Sequence, residues 1–185
     1  MTDFLYSIDL AIFYFINHTI SNPLFDKFFP FITNVHNWYV AYIILWFILL
    51  LKGGRIGKIA AVMMILLVAA SDQISSNLLK NIFERIRPNN YLDDVNLLIR
   101  NTKSFSFPSS HAVNNFAVAI FITKLYPKLK WILLITAFLM ALSRPYVGVH
   151  YPFDIFMGAI IGSLIGYGFA IIAIKIELFF TNKNT

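Results

Sequence analysis

Residues 38–51 read WYVAYIILWFILLL and residues 59–70 read IAAVMMILLVAA, with only KGGRIGK between them. Runs this apolar suit helices inside a bilayer, where each backbone N–H and C=O must find its partner within its own segment. Trp38 and Tyr39 stand where interfacial anchors stand, and the Lys52-Gly53-Gly54-Arg55 turn marks a return to water. The second run does not stop at Ala70. It turns polar through Ser71, Asp72, Gln73, Ser75, Ser76 and Asn77 before reaching Lys80. Polar groups at membrane depth need partners, so this half is expected to face the interior of a bundle.

The same reading extends in both directions. Upstream, an apolar stretch from Phe4 to Ile20 carries Asp9 and Asn17, and a shorter amphipathic piece runs from Leu24 to Val35. Downstream, Arg87-Pro88 opens a polar loop that runs to Phe107, and irregular loops longer than about fifteen residues are more often functional than idle. Further apolar segments follow Pro108, run from about Trp131 to Leu142, and run from about Phe153 to Phe180. The predicted fold is all-α, a polytopic membrane helical bundle of six transmembrane spans forming one domain over residues 1–185. In the last span Gly158, Gly162, Gly166 and Ala170 recur every four residues, with Asp154 continuing the stripe, which lets another helix approach closely.

Composition agrees. The chain is 58% hydrophobic and 13% charged, with mean hydropathy +0.70, far more apolar than a soluble domain requires. A net charge of +6 would suit nucleic acid, but the basic residues fall in short turns rather than along one soluble face, so no nucleic-acid partner is expected. With no cysteine, disulfides and thiolate metal sites are excluded. Met1-Thr2-Asp3 supplies no basic region and does not resemble the start of a cleavable signal peptide.

Six spans impose a parity. The end of the third, the start of the fourth, the end of the fifth and the start of the sixth share one face, bringing Lys80 and Arg87, Ser109 and His111, Ser143 and Arg144, and His150 and Asp154 together. Basic residues decide which face. Lys52, Arg55, Lys58, Lys124, Lys128, Lys130, Lys175 and Lys183 lie on the opposite side, against Lys27, Lys80, Arg85, Arg87, Arg100, Lys103 and Arg144. Setting aside Lys80, Arg87 and Arg144 as site residues leaves eight against four, which puts the polar face outside the cytoplasm and both termini inside.

Lys80-x6-Arg87-Pro88, then Pro108-Ser109-Ser110-His111, then Ser143-Arg144-x5-His150-x3-Asp154, resembles the three-part signature of the type 2 phosphatidic acid phosphatase family, which is similar at its active site to vanadium haloperoxidases. The signature spans residues 80–154, and Ser110 stands where the family pattern has glycine while keeping the backbone N–H. The resemblance implies an integral membrane lipid phosphatase in which His150 attacks phosphorus to form a phosphohistidine, His111 protonates the leaving oxygen and later activates water, and Asp154 holds the His150 ring. Resemblance to small bacterial members implies undecaprenyl diphosphate, the 1-phosphate of lipid A, or phosphatidylglycerol phosphate as substrate, at the outer face of a bacterial cytoplasmic (inner) membrane.

The residues themselves suit that chemistry. Charge spreads over the equatorial oxygens of a phosphoryl group in transfer, so fixed cations and N–H donors matter most. Lys80, Arg87 and Arg144 supply three cations, the guanidiniums as planar forks and the lysine as a point charge. Ser109 lies at the N-cap position of the helix after Pro108, so that Ser109, Ser110 and the first turn can present N–H groups to an anion. Pro152 places the start of the last helix near residue 151 and the Asp154 carboxylate one turn from His150. The pattern holds no pair of histidines at helical spacing with an acid and no carboxylate cluster, so metal-independent hydrolysis without a cofactor is expected.

Blander readings attach to the rest. Any one of Lys80, Arg87 or Arg144 alone would be a headgroup anchor. His18 and His36 read as interfacial polar residues, Asp72 as a structural partner for polar groups or Lys80, and Glu84, Asp93 and Asp94 as solvated loop charges. Two other classes compete with a hydrolase. An anion-binding membrane transporter could use the same basic cluster, although transporters favour broken helices at the midplane and inverted repeats that this chain does not display. An oxidative vanadate enzyme is disfavoured by the apolar spans.

Overall fold

The computed structural model describes residues 2–183, which form helices and connecting loops with no strand among them. The elements are α1 (Thr2–Tyr14), prolonged by a π-helical turn at Phe15–Thr19, α2 (Phe25–Thr33), α3 (Tyr39–Lys52), α4 (Gly54–Asp72), continued by a π-helical segment at Gln73–Leu79 into α5 (Lys80–Phe83), then α6 (Pro88–Tyr91), α7 (Ser110–Leu125), α8 (Lys130–Tyr146) and α9 (Pro152–Asn182).

Among the described residues four stretches are long and apolar enough to cross a membrane: Val35–Lys52, Gly54–Tyr91, Pro127–Tyr146 and Pro152–Asn182. The six expected spans are matched by length and composition to that extent. The apolar stretch near the N-terminus is divided between α1 and its π-helical turn, and α7 has 16 residues, fewer than the roughly 20 of a full span. Lipid-facing positions remain apolar and exposed, including Val40, Leu45, Trp131 and Leu164, and α3 buries no side chain at all. In water such a surface would aggregate, whereas in a bilayer it is already solvated.

The centre of the bundle is the α7–α9 pair, in contact along most of α7. Here the small-residue stripe does what its spacing predicted. A Cβ on Gly158 would lie 2.9 Å from the Cβ of Ala112, and one on Gly162 or Gly166 would overlap the carbonyl oxygen of Val113 or Ala117. The backbones thus touch where no side chain fits. Gly162→Val should cost about 1–3 kcal/mol of stability through overpacking, read as a lowered melting temperature in detergent, whereas Gly168→Ala, with open space around its Cβ, should leave melting near that of the parent.

Two apolar clusters complete the core. One, around Ala60, Leu67, Ala117, Phe121, Ala170 and Ala173, joins α4, α7 and α9 at membrane depth. The other gathers Ile16, Phe29, Ile32, Met140, Tyr146, Val147 and Val149 under the loops. α2 gives Phe29 and Ile32 to that second cluster, also buries Thr33, and leaves Phe28 and Phe31 outside, as an interfacial helix should. Its C-terminal end thereby comes to rest over the polar residues of α7 and α8.

Candidate active site

Four segments deliver the charged side chains. Lys80 opens α5 and is buried, with its Nζ donating to the carbonyl of Phe105 at 3.0 Å. The chain then reverses at Glu84, whose φ of 45° lies in the left-handed region, and this carries Arg85 and Arg87 back toward the bundle. Arg87 is anchored on several sides. Its Nε donates to the carbonyl of Ser104 at 2.7 Å, its Nη2 to Ser104 Oγ at 2.9 Å, and its Nη1 to the carbonyl of Val149 at 2.9 Å and to His150 Nε2 at 3.1 Å.

Ser109 occupies the N-cap position of α7, but its hydroxyl makes no capping bond, and its own N–H donates to the carbonyl of Asp154 at 3.2 Å. Anion-facing donors must therefore come from the N–H groups of the first turn, which have no intrahelical acceptor. Ser110 Oγ meets Ser76 Oγ at 2.9 Å, and His111 Nε2 donates to the carbonyl of Thr33 at 3.2 Å. Arg144, at the end of α8, donates from Nη1 to Thr33 Oγ1 at 2.6 Å. Two buried polar atoms here, Ser109 Oγ and Arg144 Nε, have no hydrogen-bond partner among the described residues. Unpaired buried polar groups are rare in folded chains, and a polyoxygen anion would satisfy both.

His150 and Asp154 are fully enclosed. As the position of Pro152 foretold, α9 begins there, and Asp154 forms a capping box in which its Oδ2 accepts the Tyr151 N–H at 2.9 Å. The same oxygen lies 3.4 Å from His150 Nδ1 and accepts a short bond from Ser106 Oγ. With Nδ1 facing a carboxylate and Nε2 accepting from Arg87, the tautomer that satisfies both sides carries its proton on Nδ1 and leaves a lone pair on Nε2. Burial, then the charges of Arg87, Arg144 and Lys80 and the neighbouring His111, push the His150 imidazole well below its ordinary pKa. Neutral imidazole is the nucleophilic form, and it persists here at acidities that would protonate an exposed histidine.

The structure thus brings Lys80, Arg87, Arg144, His111, His150 and Asp154 into one cluster, with Ser109 and Ser110 at its edge. Four further residues belong to it. Arg85 donates from Nη1 to Asp154 Oδ1 at 2.7 Å and from Nη2 to Asp9 Oδ2 at 2.5 Å, while its guanidinium lies 4.0 Å from the centre of the Tyr151 ring. Asp9 in turn accepts the N–H of Phe153 at 2.8 Å. A carboxylate as enclosed as Asp154 requires such compensation, and Arg85, in the turn after α5, supplies it while Asp9 of α1 holds the other end of the guanidinium. Ser106 and Thr33 complete the set. Asp9 carried a signal, an acid within an apolar stretch. Arg85 read as one more boundary charge, and Ser106 and Thr33 carried none.

Residues 59–177 match the family model described as PAP2 superfamily. Over 95% of its length the chain is 33% identical to a lipid A 4'-phosphatase of Bacteroides thetaiotaomicron, covering 81% of that protein. Over 64% of its length it is 37% identical to an undecaprenyl-diphosphatase of Sulfolobus acidocaldarius, of which it spans 57%. Among solved structures it is similar to Aquifex aeolicus LpxE, with TM-score 0.69 and 32% identity over 91% of this chain and 95% of that one. A transmembrane PAP2 type phosphatidylglycerolphosphate phosphatase from Bacillus subtilis superposes with TM-score 0.72 and 27% identity over 93% of this chain and 87% of that one.

Proposed function

Because the chain belongs to the PAP2 superfamily of membrane lipid phosphatases, and is therefore a multi-pass phosphoric ester hydrolase, we propose that it hydrolyses a lipid phosphate monoester or diphosphate through a phosphohistidine on His150. The observation that carries this reading is the His150 imidazole, held between the Asp154 carboxylate and three cationic side chains.

In the proposed reaction the lipid phosphate enters among Lys80, Arg87 and Arg144, and its oxygens take up donors that include Arg144 Nε and Ser109 Oγ. Arg87 exchanges its contact with His150 Nε2 for one with a phosphate oxygen, which frees the lone pair. His150 Nε2 attacks phosphorus, the bond to the lipid oxygen breaks, and Asp154 stabilises the positive charge that develops on the ring. The leaving oxygen takes a proton from His111. Since His111 Nε2 donates its N–H to the Thr33 carbonyl, the exchanged proton is carried on Nδ1, which His111 takes up as an imidazolium when the negative charge of the phosphate enters beside it. Water then gives its proton back to His111 and attacks phosphorus, releasing inorganic phosphate and restoring His150. Lys80, Arg87 and Arg144 supply the cationic charge that phosphoryl transfer calls for, which supports a metal-independent reading.

The reading is tested by phosphate release from a panel of phospholipid phosphates, polyprenyl diphosphates and lipid A, assayed with purified protein. Turnover should persist in EDTA and be inhibited by vanadate, which occupies the position of the transferring phosphoryl group. Binding of anions without release of phosphate from any lipid would favour a carrier, and activity lost in EDTA and restored by Mg2+ would remove the metal-independent mechanism.

Six spans with the site at the outer face of a cytoplasmic membrane complete the proposal, supported by the distribution of basic residues. A cysteine replacing Asn90 should react with an impermeant thiol reagent on intact cells while one replacing Gly54 stays unlabelled, and the reverse pattern would invert the orientation.

A further inference from the structure

Asp9 is an acid within the apolar N-terminal stretch, and it is buried. It shares one face of α1 with Tyr6 and Phe13, at a spacing of three and then four residues. Both of those rings pack against Tyr151, at centroid distances of 6.2 and 5.7 Å, so this face docks at the start of α9. Docking divides the work of the Asp9 carboxylate. Oδ1 accepts the Phe153 N–H and Oδ2 accepts from Arg85 Nη2, while the same guanidinium donates from Nη1 to Asp154 Oδ1.

One guanidinium thus stands between two carboxylates. Enclosing Asp154 calls for a single cation, and Arg85 alone would supply it. A second carboxylate on that cation does something further. Asp154 and Arg85 by themselves form a neutral pair, whereas Asp9, Arg85 and Asp154 together carry one net negative charge. Among the described residues Asp9 joins no other ion pair. The charge lies on the Nδ1 side of the His150 ring, which already feels Lys80, Arg87 and Arg144 and becomes positive as it attacks phosphorus. A neutral pair in that place would offer the developing imidazolium little.

We propose that Asp9 is a positioning residue for phosphoryl transfer: through Arg85 it keeps a net negative charge behind His150 and holds the guanidinium on Asp154 Oδ1, leaving Oδ2 to the ring. The proposal rests on the phosphohistidine reading and gives the N-terminal helix a part in it. Its consequence is specific to one step. Attack on phosphorus builds positive charge on the ring and depends on Asp9, whereas hydrolysis of the phosphohistidine discharges the ring and does not.

The test uses full-length protein in detergent, carrying His111→Ala so that label from a phosphate-labelled aryl ester accumulates. Asp9→Asn keeps an oxygen for the Phe153 N–H and removes the charge that Arg85 pairs with. It should slow single-turnover release of the aryl alcohol about tenfold, the scale of one hydrogen bond to a charged group, and leave decay of the label after a chase no slower. Inhibition by inorganic phosphate should be unchanged, because Lys80, Arg87 and Arg144 are untouched. In an Arg85→Gln background Asp9→Asn should add no further slowing, since its effect passes through the guanidinium. These are rate constants, so an inactive fraction of the preparation does not alter them. Release undiminished by Asp9→Asn, losses spread equally over release, label decay and phosphate inhibition, or a multiplied loss in the double variant would each overturn the proposal. Absence of label on His111→Ala protein with Asp9 intact would instead sink the phosphohistidine reading on which it rests.

Discussion

Replacing His150 by alanine should reduce phosphate release by about 10⁴-fold or more, for every substrate and whatever its leaving group. The expectation follows from where the side chain sits. Its Nε2 is the one nucleophilic lone pair facing Arg87, and no other group of the cluster combines a neutral nitrogen with a carboxylate behind it. Lys80, Arg87 and Arg144 would still gather the phosphate, so substrate binding should survive while turnover fails. The measurement is single-turnover phosphate release set beside equilibrium binding of the same lipid. Restoration of His150→Ala activity by a good leaving group would show that attack does not pass through this residue, because leaving-group acidity cannot replace a missing nucleophile.

His111→Ala should behave differently. Loss of a general acid costs on the order of 10²- to 10⁴-fold for an alkyl phosphate, whose alkoxide leaves poorly without a proton. An aryl phosphate needs less help. The rate of His111→Ala relative to the parent should therefore rise steadily as the leaving group becomes more acidic, at least in the first half-reaction, which rapid quench separates from the hydrolysis that follows. A deficit independent of the leaving group would reassign His111 to binding or to the later water step. Thr33 bears on this result. Its carbonyl holds His111 Nε2 while its hydroxyl holds Arg144, so the end of α2 fixes both side chains with one residue.

Much of this was legible before any coordinates. The ends of α3 were readable because Trp38, Lys52 and Arg55 bracket its apolar run, and the polar residues of the signature were readable as a group because each stands beside the end of an apolar stretch. The glycine stripe of α9 likewise declares its partner face, since small residues every four positions have few other uses. What stayed hidden depends on chain reversals that periodicity does not report. Arg85 stands two residues from Arg87 and looks like another boundary charge. Only the left-handed turn at Glu84 swings it under Tyr151, between Asp9 and Asp154. Thr33 ends an amphipathic helix whose pattern reports an apolar face but not what that face covers. Ser106 lies in an irregular loop, where no spacing rule singles out one serine among several. Span number was the least legible feature of the fold, because α7 is short and the N-terminal stretch is divided by a π-helical turn.

The covalent intermediate is the centre of the account, and trapping it is the most direct test. Protein bearing His111→Ala, mixed with phosphate-labelled aryl ester and quenched within a turnover, should carry label that is stable in base and released in acid, as a phosphoramidate is. Protein bearing His150→Ala, treated identically, should carry none. Label on His150→Ala, or none on either variant while phosphate is still released, would contradict attack by His150.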